Sequence, residues 1–135
     1  MIEAIDRSKL ANTEEEYRVL ITSDANWVAR TPEDIRKLRS SQSSPLSKLP
    51  EPDFQTFFAS LTYGNGGISG GSYRPLMETL TIKDIFEVFA SFGMGMQFAL
   101  DNQEAKCNNG TCVFDFGSFC SHITCIPQVK TDKPS

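Results

Sequence analysis

The stretch CNNGTCVFDFGSFCSHITC, residues 107–125, decides the fold of the C-terminal part of this chain. It contains all four cysteines of the 135-residue sequence and its only histidine, His122. Near its start, Asn109 and Gly110 stand between residues that favour strands, and Asn-Gly is the strongest short signal for a type I′ hairpin turn. The stretch therefore predicts a β-hairpin near residues 107–116.

The predicted turn also places the first two cysteines. Cys107 and Cys112 face each other across the two strands, with Cα atoms about 4.5 Å apart, which a disulfide accepts. Cys120 and Cys125 flank a second short loop of four residues. The sequence favours two local disulfides, Cys107–Cys112 and Cys120–Cys125, which is one of three connectivities open to four cysteines. Reduced structural thiols are the first alternative.

Zinc binding is the second alternative for the same sulfurs. Tetrahedral zinc takes four thiolate or imidazole ligands, and the cysteine spacing here is C-x4-C-x7-C-x4-C. The gap of seven residues is short for two knuckles to fold back on each other. Our best interpretation has no metal and no other cofactor; if a zinc site exists, its candidate ligands are Cys107, Cys112, Cys120, His122 and Cys125.

Composition and charge narrow the classes of partner. With 39% hydrophobic and 22% charged residues, the chain is typical of a globular protein. The net charge of −4 disfavours binding to nucleic acid and to anionic membranes, so we expect another protein as the partner. The sequence shows neither a targeting segment nor the ~18 apolar residues that span a bilayer, so we expect a soluble, cytoplasmic protein.

Three helices are predicted from caps and apolar spacing. Thr31 and Pro32 begin a short helix over 32–40. Residues 52–63 place phenylalanines at i, i+3 and i+4, on one face of a helix. Thr81 caps a third helix over 82–92, whose apolar arc must be largely covered.

Strands and loops complete the expected fold. The alternation in YRVLIT (17–22), followed by SDAN and WVAR, predicts a second hairpin near 17–30. The fold class is α+β, with a small antiparallel sheet packed against two or three short helices. We expect a single domain over 16–125; the segments expected to be irregular are a loosely ordered N-terminus (1–15), a Ser/Pro-rich linker (40–52), a Gly-rich loop (64–72) and a flexible tail (126–135).

Phenylalanine content motivates the functional hypothesis. Nine of the ten phenylalanines fall between Phe54 and Phe116, more apolar surface than two short helices easily hide from water. We expect a non-catalytic protein-binding or regulatory domain that uses an aromatic-rich helical surface, with a homo-oligomer as one way to cover it. The protein-binding candidates are Phe54, Phe57, Phe58, Phe86 and Phe89.

Catalysis has little support in the sequence. His122 is the only imidazole, so any nucleophile–base pair would have to include it, and a lone histidine in a cysteine loop is more often structural. Two other functions remain open. One is a redox- or zinc-responsive protein that switches through residues 107–125; the weaker one is a precursor with a modified cysteine-rich C-terminal segment.

Overall fold

The computed structural model describes residues 5–126 of the chain. Two 3-10 helices, Arg7–Lys9 and Pro45–Lys48, accompany the regular elements. In chain order, those elements are α1 (Glu14–Ile21), α2 (Pro32–Arg39), α3 (Glu51–Ser60), β1 (Thr62–Gly64), β2 (Gly67–Ser72), α4 (Arg74–Met77), α5 (Ile82–Ser91), α6 (Met96–Asp101), β3 (Gln103–Asn108) and β4 (Thr111–Cys120).

The four strands form one antiparallel sheet with the order β1-β2-β4-β3. Two hairpins, β1–β2 and β3–β4, join where β2 pairs with β4. The α+β class is therefore confirmed, and so is the hairpin near residues 107–116. The other hairpin of the sheet comes from residues 62–72 and not from residues 17–30.

The three predicted helices are confirmed as α2, α3 and α5. The Thr31 hydroxyl accepts a hydrogen bond from the Asp34 amide at 3.2 Å, and the Thr81 hydroxyl accepts one from the Asp84 amide at 3.1 Å. Both bonds satisfy an amide at a helix start that has no partner within the helix. Local capping chemistry thus fixed where these two helices begin.

The prediction of a strand at residues 17–22 was wrong, because this segment forms α1. Its buried residues are Tyr17, Leu20 and Ile21, which have helical spacing, while Val19 is 59% exposed. The Thr13 hydroxyl accepts from the Glu16 amide at 3.0 Å and caps the helix. The same six residues therefore fit two patterns. The helical one, with i, i+3, i+4 spacing and an N-terminal cap, is the one that forms.

The prediction of a loop at residues 64–72 was also wrong, because these residues form most of the β1–β2 hairpin. Asn65 and Gly66 form its turn with φ values of 52° and 91°, the positive angles that a type I′ turn needs. At Gly70, an added Cβ would lie 2.6 Å from the carbonyl oxygen of Phe119. Glycine in β2 therefore permits close approach of the strand to β4.

The predicted Ser/Pro-rich linker is part of the core. Leu46 and Leu49 are buried, and the Arg39 guanidinium donates to both of their carbonyl oxygens at 2.7 Å. The Ser44 hydroxyl accepts from the Leu46 amide and caps the 3-10 helix. The prolines shape this segment into a short helix between α2 and α3 without loosening it.

The N-terminal segment is held against α5 and α6 in its described part. Ala11 is buried; its amide donates to the Gly93 carbonyl at 2.9 Å, and its own carbonyl accepts from the Gly95 amide at 2.7 Å. Residue 11 thus bridges the two sides of the turn between α5 and α6, while the looseness expected for residues 1–15 stays a prediction. Residues 1–4 and the predicted tail beyond residue 126 lie outside the described residues.

A cluster of aromatic rings joins the helices to the sheet. Phe89 of α5 meets Phe119 of β4 edge-on, with ring centroids 4.8 Å apart. Phe92 lies against both rings and also stacks on Phe57 of α3, with centroids 6.5 Å apart. These contacts place the centre of the core between α3, α5 and the inner part of β4.

A buried hydroxyl links α1 to β2. The Tyr17 hydroxyl donates to the Ile68 carbonyl at 2.9 Å and accepts from the Ile68 amide at 3.1 Å. Burial raises the pKa of Tyr17 well above its usual value. The hydroxyl therefore stays neutral and completes the hydrogen bonding of a buried strand residue.

Replacing Tyr17 by Phe should lower the free energy of unfolding by about 1–3 kcal/mol, because the Ile68 amide loses its acceptor in the core. Tyr63→Phe is the matched control, since the Tyr63 hydroxyl is buried without a hydrogen-bond partner and its removal should be neutral or stabilising. Urea denaturation of both variants measures the difference. Equal destabilisation by the two substitutions would contradict the link between α1 and β2.

Candidate functional site: the sulfur cluster and the bent hairpin

The β3–β4 hairpin forms around the predicted turn. Asn109 and Gly110 have φ values of 53° and 93°, and Cys107 lies directly opposite Cys112 in the strand register. This pairing is the one that the sequence predicts from the turn type.

A bend divides this hairpin into an outer and an inner part. Ala105 pairs with Phe114, but Gln103 pairs with Phe119, so residues 115–118 of β4 stand opposite a single residue of β3. That residue is Glu104, with a φ of 62°. A straight strand from residue 112 to residue 120 would span about 26 Å. The observed distance between these Cα atoms is 5.8 Å, so β4 reverses its direction on the way.

Polar contacts hold the bend. The Glu104 carboxylate accepts hydrogen bonds from the Tyr73 hydroxyl at 2.6 Å and from the Gly117 amide at 2.7 Å. These bonds lower the pKa of Glu104, while burial and the bond to Glu104 raise the pKa of Tyr73 to about 12. At neutral pH the carboxylate is charged and the phenol is protonated, which are the states that this bond requires.

The residue at the bend is glycine for two reasons. Gly117 has a φ of 85°, which side chains other than glycine rarely adopt, and an added Cβ would lie 2.3 Å from Nε of Arg74. The Arg74 guanidinium lies there because it donates to the Phe116 carbonyl at 2.6 Å and covers the Phe116 ring, 5.5 Å from its centroid. Any larger residue at position 117 would displace this arginine.

The four cysteines form two disulfides, but not the predicted ones. Cys107 is bonded to Cys125, with Cα atoms 5.5 Å apart, and Cys112 is bonded to Cys120. The prediction of local pairs was wrong because it treated the hairpin as straight, whereas the bend brings residue 120 back to residue 112. Once formed, the Cys107–Cys125 bond closes a longer loop than a Cys107–Cys112 bond would, so it destabilises the unfolded chain by about 1 kcal/mol more in the chain-entropy model.

The segment after β4 fixes Cys125. The Ser121 amide donates to the Ser69 carbonyl at 2.7 Å, and the Cys125 amide donates to the Ser121 carbonyl at 2.9 Å. The fully buried Thr124 donates its hydroxyl to the Ile68 carbonyl at 3.2 Å. This turn packs on β2 and presents Cys125 beside Cys120.

The two disulfides lie against each other. The sulfur atoms of Cys107, Cys120 and Cys125 all lie within 4.8 Å of one another, and the fourth sulfur is bonded to that of Cys120. We call these four sulfurs the sulfur cluster. His122 is exposed and is not one of the clustered metal-ligand atoms, so the structure brings the predicted cysteine ligands together without the predicted histidine.

The predicted protein-binding phenylalanines lie mostly in the core. Three of them, Phe54, Phe57 and Phe89, are buried. Phe89 meets Phe119 of the sheet, Phe57 stacks on Phe92, and Phe54 stacks on Phe58 within α3. Phe58 and Phe86 are partly buried, and the Arg36 guanidinium covers the Phe58 ring at 4.9 Å. The buried rings offer no surface to a partner in this conformation.

Two other phenylalanines are exposed instead. Phe114 is 79% exposed and Phe116 is 58% exposed, and both belong to β4 on the outer side of the bend. The alternation in residues 112–116 places both rings on one strand face, but it does not reveal whether that face points to the core or to solvent. The exposed aromatic pair was therefore missed because the bend is a tertiary feature.

A cleft beside α2 has no catalytic arrangement among its lining residues. It has a volume of about 930 Å³ and lies beside Trp27, between α2 and α5. Four of its charged residues form ion pairs, Arg36 with Glu33 at 3.3 Å and Arg7 with Glu87 at 2.6 Å. Trp27 itself is 6% exposed, so it packs as predicted and leaves little ring surface for a ligand.

Chemical and enzymatic cleavage of the oxidised protein should reveal the bent pairing. Hydroxylamine cleaves Asn109–Gly110, and a protease that cuts before aspartate cleaves at Asp115, which leaves Cys120 and Cys125 on a third peptide. The two observed disulfides predict that all three peptides stay linked, and fragmentation between residues 120 and 125 identifies each bond by mass spectrometry. A separate third peptide with an internal disulfide would contradict the bend and restore the local pairs.

Neither membrane insertion nor similarity to known proteins adds a function. Among residues 5–126, no helix is long and apolar enough to cross a membrane. Searches of protein-family models, curated proteins and solved structures found no match to this chain. The sulfur cluster and the bent hairpin are thus the features from which a function can be argued.

Proposed function

We propose that the protein is a non-catalytic domain that binds another protein through its bent hairpin. The observation that supports this proposal is the exposure of two phenylalanines, Phe114 and Phe116, two residues apart on β4. Aromatic side chains dominate the energetics of protein interfaces, and they are uncommon on surfaces that have no partner. The helical surface that the sequence suggested supports the function less well, because its rings are largely buried.

The braces of the hairpin support this role. Two disulfides and the Glu104 hydrogen bonds hold the outer hairpin before any partner arrives. A binding element that is already ordered loses less conformational entropy on association. Rigid aromatic rings on such an element can act as anchors.

The exposed area of the two rings indicates how much further contact a partner needs. The two rings expose on the order of 250 Å², which at about 25 cal/mol per Å² gives roughly 6 kcal/mol when fully covered. Association itself costs about 4–15 kcal/mol, so the rings alone do not hold a partner. Additional contacts are available along β3, which lies at an edge of the sheet with Gln103, Lys106 and Asn108 exposed. We propose that an extended segment of the partner pairs with this edge while its apolar side chains cover the rings.

Exchange of both rings for serine tests the proposal. The Phe114→Ser/Phe116→Ser variant should bind the partner about 30-fold more weakly, because each substitution removes one aromatic anchor. Ile82→Ser is the matched control, since Ile82 is 73% exposed and belongs to α5, which is not part of the hairpin. Quantitative affinity capture from the native source with the three forms, followed by titration of any retained protein, measures the loss.

Folding and self-association complete this test. Both side chains are exposed, and loss of the Arg74 contact with the Phe116 ring should cost about 1 kcal/mol at most, so circular dichroism should be unchanged and the unfolding temperature should fall by about 5 °C or less. If the wild type, the double variant and the Ile82→Ser control capture the same proteins in the same amounts, the proposal is contradicted. Light scattering tests whether the partner is a second copy of this chain. If the wild type is a dimer and the Phe114→Ser/Phe116→Ser variant is a monomer, the second copy is the partner.

A second candidate function is a response to redox state. Every cysteine of the chain is in a disulfide that ties the outer hairpin to the inner part of β4 or to the turn after it. Reduction would release the hairpin while leaving the aromatic core in place. Two disulfides also support an oxidising compartment over the cytoplasm expected from the sequence.

Hydrogen exchange with and without reductant tests the redox response. On reduction, amides of residues 105–114 should lose protection, whereas those of α3 and α5 should keep theirs, because the latter depend on the phenylalanine core. Mass spectrometry of peptides from the two forms measures this difference. Unchanged protection in the hairpin, or equal loss throughout the chain, would remove this candidate.

A further inference from the structure

The sulfur cluster has nearly the dimensions of a metal cage. In a tetrahedral zinc–thiolate site with Zn–S bonds of about 2.3 Å, neighbouring sulfurs lie roughly 3.8 Å apart. Three of the four sulfurs here already lie within 4.8 Å of one another. The fourth sulfur, of Cys112, is bonded to that of Cys120, so after cleavage of the disulfides all four thiols start from one small region, and rotation about their χ1 bonds can adjust the spacing to that of a zinc site.

We propose that the reduced protein binds one zinc ion through Cys107, Cys112, Cys120 and Cys125. This proposal rests on the redox response described above, since oxidised cysteines cannot ligate a metal. The ligands come in two knuckles: one flanks the type I′ turn at Asn109-Gly110, and the other flanks the turn over residues 121–124. The bend at Gly117 brings the knuckles together and removes the difficulty of the seven-residue gap in the sequence.

Burial and ligand type favour zinc over other cations. Cys120 and Cys125 are buried, at 1% and 4% exposure, and Cys107 and Cys112 are partly buried, so half of the ligand set is shielded from water. Soft thiolates select zinc over the oxygen-preferring calcium and magnesium. Because His122 is exposed and outside the cluster, it takes no part in the site.

The change from disulfides to a zinc site balances in two steps. Two equivalents of a dithiol reductant, a protein or a small molecule, donate four electrons and four protons and become disulfides themselves. The two protein disulfides become four thiols. Zinc then binds four thiolates and releases four protons to solvent, which makes its affinity rise with pH. In the reverse step, two equivalents of a disulfide oxidant accept the four electrons from the thiolates and four protons from solvent and become dithiols, which releases the zinc ion and restores Cys107–Cys125 and Cys112–Cys120.

Titration of the reduced full-length chain with zinc, under anaerobic conditions and with a chromophoric competitor, tests the proposal. We expect one zinc per chain, a Kd of about 50 nM or tighter at pH 7, and release of protons. Cobalt in place of zinc should give the visible absorption bands of a tetrahedral thiolate complex. Cys112→Ser should weaken binding at least ~100-fold, whereas His122→Ala should leave it unchanged.

A variant that keeps all four thiols separates a built site from a cysteine-rich chain. Gly117→Ala places a Cβ against Arg74 and opposes the bend, so zinc binding should weaken at least ~10-fold while helix content stays the same. Wild-type affinity in Gly117→Ala, loss of affinity in His122→Ala, or no zinc uptake by the reduced wild type would each overturn the site. Hydrogen exchange of the reduced, metal-free protein reports on the redox response separately, so the two proposals can fail independently.

Discussion

The edge-on contact between Phe119 and Phe89 is the interaction on which the rest of the structure depends. It fixes the inner end of β4 in the core, where Phe92 and Phe57 continue the aromatic packing toward α3. The pairing of Phe119 with Gly71 then holds β2 in place, and β2 in turn carries the Ile68 contact to Tyr17. The inner end of β4, at Phe119, thus links the sheet to helices from both halves of the chain.

That anchor also explains the bend. The burial pattern of β4 changes from exposed or partly exposed residues at 111–116 to four buried residues at 117–120. A straight continuation would carry the outer hairpin away from the body, with its sulfurs separated. The reversal at Gly117, held by the Glu104 carboxylate and by Arg74, returns the hairpin to the turn that carries Cys125. The two disulfides then secure a path that few buried apolar contacts support.

Local chemistry was enough to predict a good part of this fold. Caps at Thr31 and Thr81 and the Asn109-Gly110 turn act over three or four residues, so the sequence reveals them directly. Two signals of equal strength were given too little weight. The Thr13 cap before α1 was outweighed by the short alternation of residues 17–22, and the Asn65-Gly66 turn was outweighed by the glycine content of residues 64–72. These two errors concern the weight of local evidence, and both could have been avoided from the sequence.

The sulfur pairing is an error of a different kind. Cys107 and Cys112 do face each other, as the turn predicts, yet each bonds to a cysteine that the bend delivers from farther along the chain. The bend depends on Tyr73 and Arg74, which are distant from residues 104 and 117 in sequence, so no local pattern encodes it. The same holds for Phe114 and Phe116, which periodicity assigns to a face but not to solvent.

The bend couples the sulfurs to the exposed rings. Phe114 and Phe116 lie on the segment between Cys112 and Cys120, so the Cys112–Cys120 bond closes the loop that presents both rings. An open loop would sample many ring orientations, and a partner would have to select one of them at a cost in entropy. On the proposed function, oxidation would favour binding at the rings and reduction would oppose it, while the proposed metal site would restore the closed loop by a different bond. Whichever chemistry holds the sulfurs, the constraint that it places on this loop decides how the hairpin presents its aromatic surface.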